Sequence, residues 1–82
     1  MEVLSTALLV AGYPTSIVVL TRFVPVVRER RVRWFVAHQA AVAAIVAGWA
    51  LKGKPAGAIV NGAWLAVATA WWVGAARAAE RP

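Results

Sequence analysis

Few side chains in this 82-residue chain can do chemistry. His38 is the one histidine, the acidic residues are Glu2, Glu29 and Glu80, and there is no cysteine. A histidine can switch charge near neutral pH, act as a general base or ligate a metal, but each of these tasks needs partners. A zinc site takes about four N, O or S ligands, and carboxylate catalysis takes a facing pair. Three glutamates this far apart supply neither within one copy. Ser5, Ser16 and His38 do not form a recognisable nucleophile system. Without cysteine, disulfides and thiolate metal sites are excluded. The expectation is a protein that is not an enzyme and carries no cofactor or metal of its own.

The remaining polar groups sit inside apolar sequence, where hydrogen bonding is the chemistry left to them. His38 with Gln39, and Asn61 with Thr69 two helical turns further on, are candidates for interhelical contacts. Asn61 could equally lie at an interface and touch water. His38 could also titrate or gate, or ligate a metal across copies.

The densest charge is "RERRVRWF", residues 28–35, which holds four of the nine basic residues in a chain of formal charge +6. Nucleic-acid binding is one reading of such a balance. Eight residues between two apolar runs offer little reach or shape, and no recognised nucleic-acid-binding module accompanies them. A basic solvated turn is a second reading. The favoured one is an anchor: Arg28, Arg30, Arg31 and Arg33 meet anionic headgroups, and Trp34 inserts at the border.

The elements that must position these residues follow from hydropathy. Hydrophobic residues make up 62% of the chain and charged ones 15%, against roughly 25% charged in a soluble domain. Three stretches carry no formal charge. The first, "VLSTALLVAGYPTSIVVLT", covers 3–21 and can extend to 27, with Arg22 snorkelling to the headgroups or facing a pore or lipid. Pro14 in its middle predicts a kink. The second, "WFVAHQAAVAAIVAGWAL", covers 34–51, and the third, "AGAIVNGAWLAVATAWWVGAA", covers 56–76. Each is about the 20 residues that cross roughly 30 Å of hydrocarbon. Trp34 and Trp49 stand at the two ends of the second span, and Trp71 and Trp72 near the end of the third, as belts of interfacial aromatics would. Gly53 suits a positive-φ helix stop and Pro55 the first turn of the next helix. Arg77, Glu80 and Arg81 are expected to form a short polar tail that frays.

The expected fold is therefore all-α: one domain of three transmembrane helices joined as antiparallel hairpins. Met1-Glu2-Val3 lacks the positive start of a secretory signal, so the first run is read as a retained span. Arg22, Arg28, Arg30, Arg31, Arg33, Arg77 and Arg81 fall on one side, and Lys52 and Lys54 on the other. That bias predicts N-terminus out and C-terminus in, across a cytoplasmic (inner) membrane.

Small residues recur every four positions in the third span: Ala58, Gly62, Ala66, Ala70, Gly74 and Ala78. A weaker face in the second is Ala37, Ala41, Ala44 and Gly48. Such stripes let membrane helices approach closely, within one chain or between copies, although an Ala-rich chain yields some stripe by composition alone.

Three functions fit. The chain could be an accessory or structural subunit of a larger membrane complex, packing against other subunits or its own copies. It could regulate a membrane partner through its basic loop. Its layout, carried by the three quoted stretches with N-out, C-in polarity and a basic inner tail, also resembles a small three-span phage holin. That resemblance implies lateral association in the inner membrane and a lesion that admits a lytic enzyme. The expected partners are membrane lipids, anionic on the cytoplasmic side, and other membrane helices, with no nucleic acid.

Overall fold

The structure, a computed structural model, describes residues 2–80, with side chains through residue 78. It is all-helical. Helix α1 spans Glu2–Leu20, α2 Phe23–Arg28, α3 Val32–Leu51 and α4 Pro55–Glu80. Three of these, α1, α3 and the Pro55–Ala78 part of α4, are long and apolar enough to cross a membrane. They match the three uncharged stretches to within a few residues, and Pro14 lies inside α1 without ending it.

The first span takes the shorter of its two expected extents, and the tail differs from expectation. The first span does not run on to residue 27. It stops at Leu20, the chain turns through Thr21 and Arg22, and α2 starts separately. The turn lets Phe23, Val26 and Val27 point inward, where they are 1–2% exposed. At the other end, α4 carries Arg77 and runs to Glu80, so the tail extends the helix instead of leaving it at 76. Arg81 lies outside the described residues.

Both α2 and α3 end in the same hydrogen-bonded turn. After α3, the Lys54 N–H donates to the Trp49 carbonyl (2.9 Å) and the Gly53 N–H to that of Ala50 (3.1 Å), with Gly53 at φ 70°. After α2, the Arg31 N–H donates to the Val26 carbonyl (2.9 Å) and the Arg30 N–H to that of Val27 (3.3 Å), with Arg30 at φ 54°. These are the paired bonds of a Schellman stop. Glycine takes the left-handed position freely. An arginine there costs about 1 kcal/mol, so contacts made by the Arg30 side chain must hold it.

Helix α3 is central: α1 packs along one side and α4 along the other, while α2 caps one end against both α3 and α4. The buried apolar cluster is Val19, Phe23, Val26, Val27 and Ala68, with Phe35, Trp64, Trp72 and Ala75 packed against it. The molecule is elongated, 51 × 20 × 15 Å.

The α1–α3 seam is built on small residues. A Cβ at Gly12 would sit 2.7 Å from Ile45 Cγ1 and 2.8 Å from the Ala41 carbonyl oxygen. One at Gly48 would sit 2.8 Å from Leu9 Cγ and 3.1 Å from the Ser5 carbonyl oxygen. At Gly12 the facing backbone comes so close that only glycine fits; at Gly48 a larger residue would have to displace Leu9 and push on the Ser5 carbonyl. Ser5 and Ser16, also buried in α1, donate to carbonyls one turn back, Glu2 and Tyr13. Their hydroxyls thus enter the seam with their hydrogen bonds already made inside α1.

Candidate functional site

Three regions carry the residues singled out by the sequence: a polar bridge between α3 and α4, an arginine-rich end, and the outer face of α4.

The polar bridge begins at His38, which is fully buried. The Trp64 indole N–H donates to His38 Nε2 (3.0 Å), and His38 Nδ1 lies 2.8 Å from Gln39 Oε1. An indole can only donate. His38 Nε2 is therefore the acceptor, Nδ1 carries the hydrogen, and the ring is neutral in this arrangement. Gln39 Nε2 in turn donates to Thr69 Oγ1 (2.8 Å) and the Leu65 carbonyl (3.3 Å), and Thr69 Oγ1 donates to Leu65 as well (2.9 Å). Among the described residues no buried side-chain N or O lacks a partner. A closed network of this kind suits an apolar surrounding, where an open one would be costly.

His38 and Thr69 thus join α3 to α4, through Trp64 and Gln39. Asn61 does not: its Nδ2 donates to the Gly57 carbonyl in its own helix (2.8 Å). Trp64 escaped the sequence reading. Its equal spacing with Trp34 and Trp49 is visible in the chain, but nothing in that spacing marks it as the donor to His38.

Trp49, Trp64 and Trp72 are more deeply engaged than a headgroup belt requires. Trp72 stacks on Phe35, with ring centroids 4.2 Å apart and planes 14° from parallel. The Arg30 guanidinium lies 3.8 Å above the Trp72 ring, and its Nη1 donates to the Trp72 carbonyl (2.8 Å). This three-layer stack of arginine, indole and phenyl is what holds Arg30 in the left-handed conformation. Trp71 meets Phe23 edge-on at 5.1 Å and remains partly exposed. Trp49 donates its indole N–H to the Tyr13 hydroxyl (2.9 Å), and its ring is what a Cβ at Gly57 would strike at 2.6 Å. One indole therefore touches both α1 and α4.

The arginine-rich end collects Arg22, Arg28, Arg30, Arg31, Arg33 and Arg77, with Glu29 among them. The Glu29 carboxylate holds Arg31 Nη2 at 2.9 Å on the surface. Arg22, Arg31 and Trp34 line one hollow of about 220 Å³ together with Pro25, Val26 and Glu29. Arg28 and Arg33 are exposed. At the opposite end, about 30 Å away along the 20 residues of α3, Lys52 pairs with Glu2 (2.6 Å) and also donates to Thr6 (3.3 Å).

The four-residue stripes divide. On α3, Ala41 and Gly48 are buried against α1, Ala44 is half-buried and Ala37 exposed. On α4 the stripe turns away from the rest of the chain from Ala66 onward. Ala66, Ala70, Gly74 and Ala78 are exposed, Ala58 and Gly62 are half-buried, and a Cβ at Gly62 or Gly74 would meet nothing within 4 Å. The inward face of α4 is instead marked by Ala68, Trp64 and Trp72.

No protein-family model, no curated protein and no solved structure matches this chain. Its own geometry remains: a small multi-helix membrane-spanning protein with a satisfied interior, a basic end and one face of α4 left open.

Proposed function

We propose that the chain is an accessory or structural subunit of a larger assembly in the cytoplasmic membrane, and that α4 is the helix by which it docks. One observation carries this reading. Only 6% of the α4 span is buried, against 22% and 28% for α1 and α3, and its small-residue stripe lies on the open side. In lipid, helices associate through close packing and hydrogen bonds, and small residues are what permit the close approach. The α1–α3 seam already uses this device at Gly12 and Gly48. A second stripe of the same kind, facing outward, suits a helix from another molecule.

The orientation follows from charge. With six described arginines and Glu29 at one end, and Lys52, Lys54 and Glu2 at the other, the arginine end belongs on the cytoplasmic side. The long helices then cross as antiparallel hairpins, N-terminus out and C-terminus in, and the basic end meets the anionic inner leaflet.

The same open face would accept a second copy of the chain, and that is the form in which a holin-like lesion would begin. Purification of the protein from its own membrane in mild detergent separates the two. The subunit reading expects a defined complex with fixed partners and an intact membrane in cells that overproduce the chain. A large self-assembly with leakage of the host membrane would replace it with the lesion-forming reading. A lone monomer with no leakage would remove both.

A further inference from the structure

We propose that the hollow between α2 and the start of α3 binds the headgroup of one acidic phospholipid. This rests on the membrane orientation given above and assigns a discrete site within the basic end.

The hollow measures about 220 Å³. That is below the roughly 300 Å³ at which pockets for drug-sized molecules begin, and it is on the scale of a phosphate and its ester. Its walls are of two kinds. Arg22 and Arg31 bring two guanidinium groups to one cavity, and the planar fork of arginine matches phosphate oxygens two at a time. Pro25, Val26 and the Trp34 ring supply an apolar wall beside them. The backbone explains why residues nine apart meet here. The stop at Arg30 reverses the chain after α2, so that Arg31 returns toward Arg22 at the start of that helix.

The arginines of this end are not equivalent. Arg30 is committed to Trp72. The Arg22 guanidinium makes no hydrogen bond or ion pair among the described residues, and the Arg31 side chain gives one nitrogen to Glu29 and keeps its other donors. Donors are thus available at the two positions that line the cavity. Glu29, also in its lining, leaves the hollow with one net positive charge. That balance suits a phosphodiester with a single negative charge over a doubly charged phosphomonoester. Leu20 and Val24, exposed on either side of Arg22, offer apolar surface for acyl chains. The common chemistry is a phosphate ester, and the apolar wall assigns it to a lipid.

The test is native mass spectrometry of the full chain in mild non-ionic detergent, titrated with dioctanoyl phosphatidylglycerol, dioctanoyl phosphatidylcholine or glycerol phosphate. A single saturable adduct per chain with phosphatidylglycerol is expected, with the other two at least tenfold weaker. Arg22→Ala and Arg31→Ala should each weaken binding at least tenfold. Arg33→Ala and Arg77→Ala, which remove the same charge outside the hollow, should change it less than twofold. Arg22→Lys and Arg31→Lys keep the charge and lose the fork, and should weaken binding more than threefold even if an alanine variant misfolds. Equal losses in all four alanine variants would overturn the proposal in favour of diffuse attraction. Glycerol phosphate binding as tightly as the lipid would overturn the assignment to a lipid. Either failure would leave docking by α4 standing, since that is read from association and not from lipid binding.

Discussion

Helix α3 holds its two neighbours by opposite means. Against α1 the seam is close, with Gly12 against the Ala41 carbonyl and Ile45, and Gly48 against Leu9 and the Ser5 carbonyl. Against α4 the seam holds Trp49, Trp64 and Trp72 and is crossed by the hydrogen bonds of His38, Gln39 and Thr69. Small residues are needed along the α1–α3 seam and at Gly57 under the Trp49 ring, while the rest of α4 meets α3 through rings and hydrogen bonds. Its own stripe is therefore free of any task inside the chain.

Three substitutions would break or sharpen this contrast. The largest effect is expected from Gly12→Leu, which drives a side chain into the Ala41 carbonyl and Ile45. Overpacking of this kind costs about 3 kcal/mol, read as a large drop in thermal unfolding temperature in detergent. Stability within experimental error of the parent would mean that the α1–α3 contact is looser than described. Next comes Trp64→Phe, which keeps an aromatic body but leaves His38 Nε2 buried without a donor. A loss of about 1–2 kcal/mol follows from an unmet buried acceptor, and denaturant titration of the two proteins in the same micelle measures it. Thr69→Val should matter least, about 0.6 kcal/mol for one interhelical hydrogen bond in a membrane protein, because Gln39 keeps its bond to the Leu65 carbonyl. A loss as large as that of Trp64→Phe would show that the network acts as one unit.

The spans were legible because an uncharged stretch of sufficient length is itself the physical cause of a span. Gly53 and Pro55 were legible for the same reason, since left-handed φ and a missing N–H are local properties. Arg30 in the equivalent turn was not, because its conformation depends on Trp72, 42 residues away. Helix α2 was hidden behind Arg22, where the apolar run continues but the chain turns. The α1–α3 seam was hidden as well. Ser5, Gly12 and Ser16 lie on one face at spacings of seven and four, a signal present in the sequence but weaker than the six-fold stripe of α4. Periodicity revealed the stripe on α4; it carried no information on whether the face turns inward or outward.

The central claim is that this face receives another helix. The direct measurement is association of the Gly62→Leu/Gly74→Leu double variant, by size in mild detergent and by recovery of partners, alongside its thermal unfolding. Because a Cβ at either position has nothing within 4 Å, unfolding should be unchanged while association falls at least tenfold. Association equal to that of the parent would contradict the account.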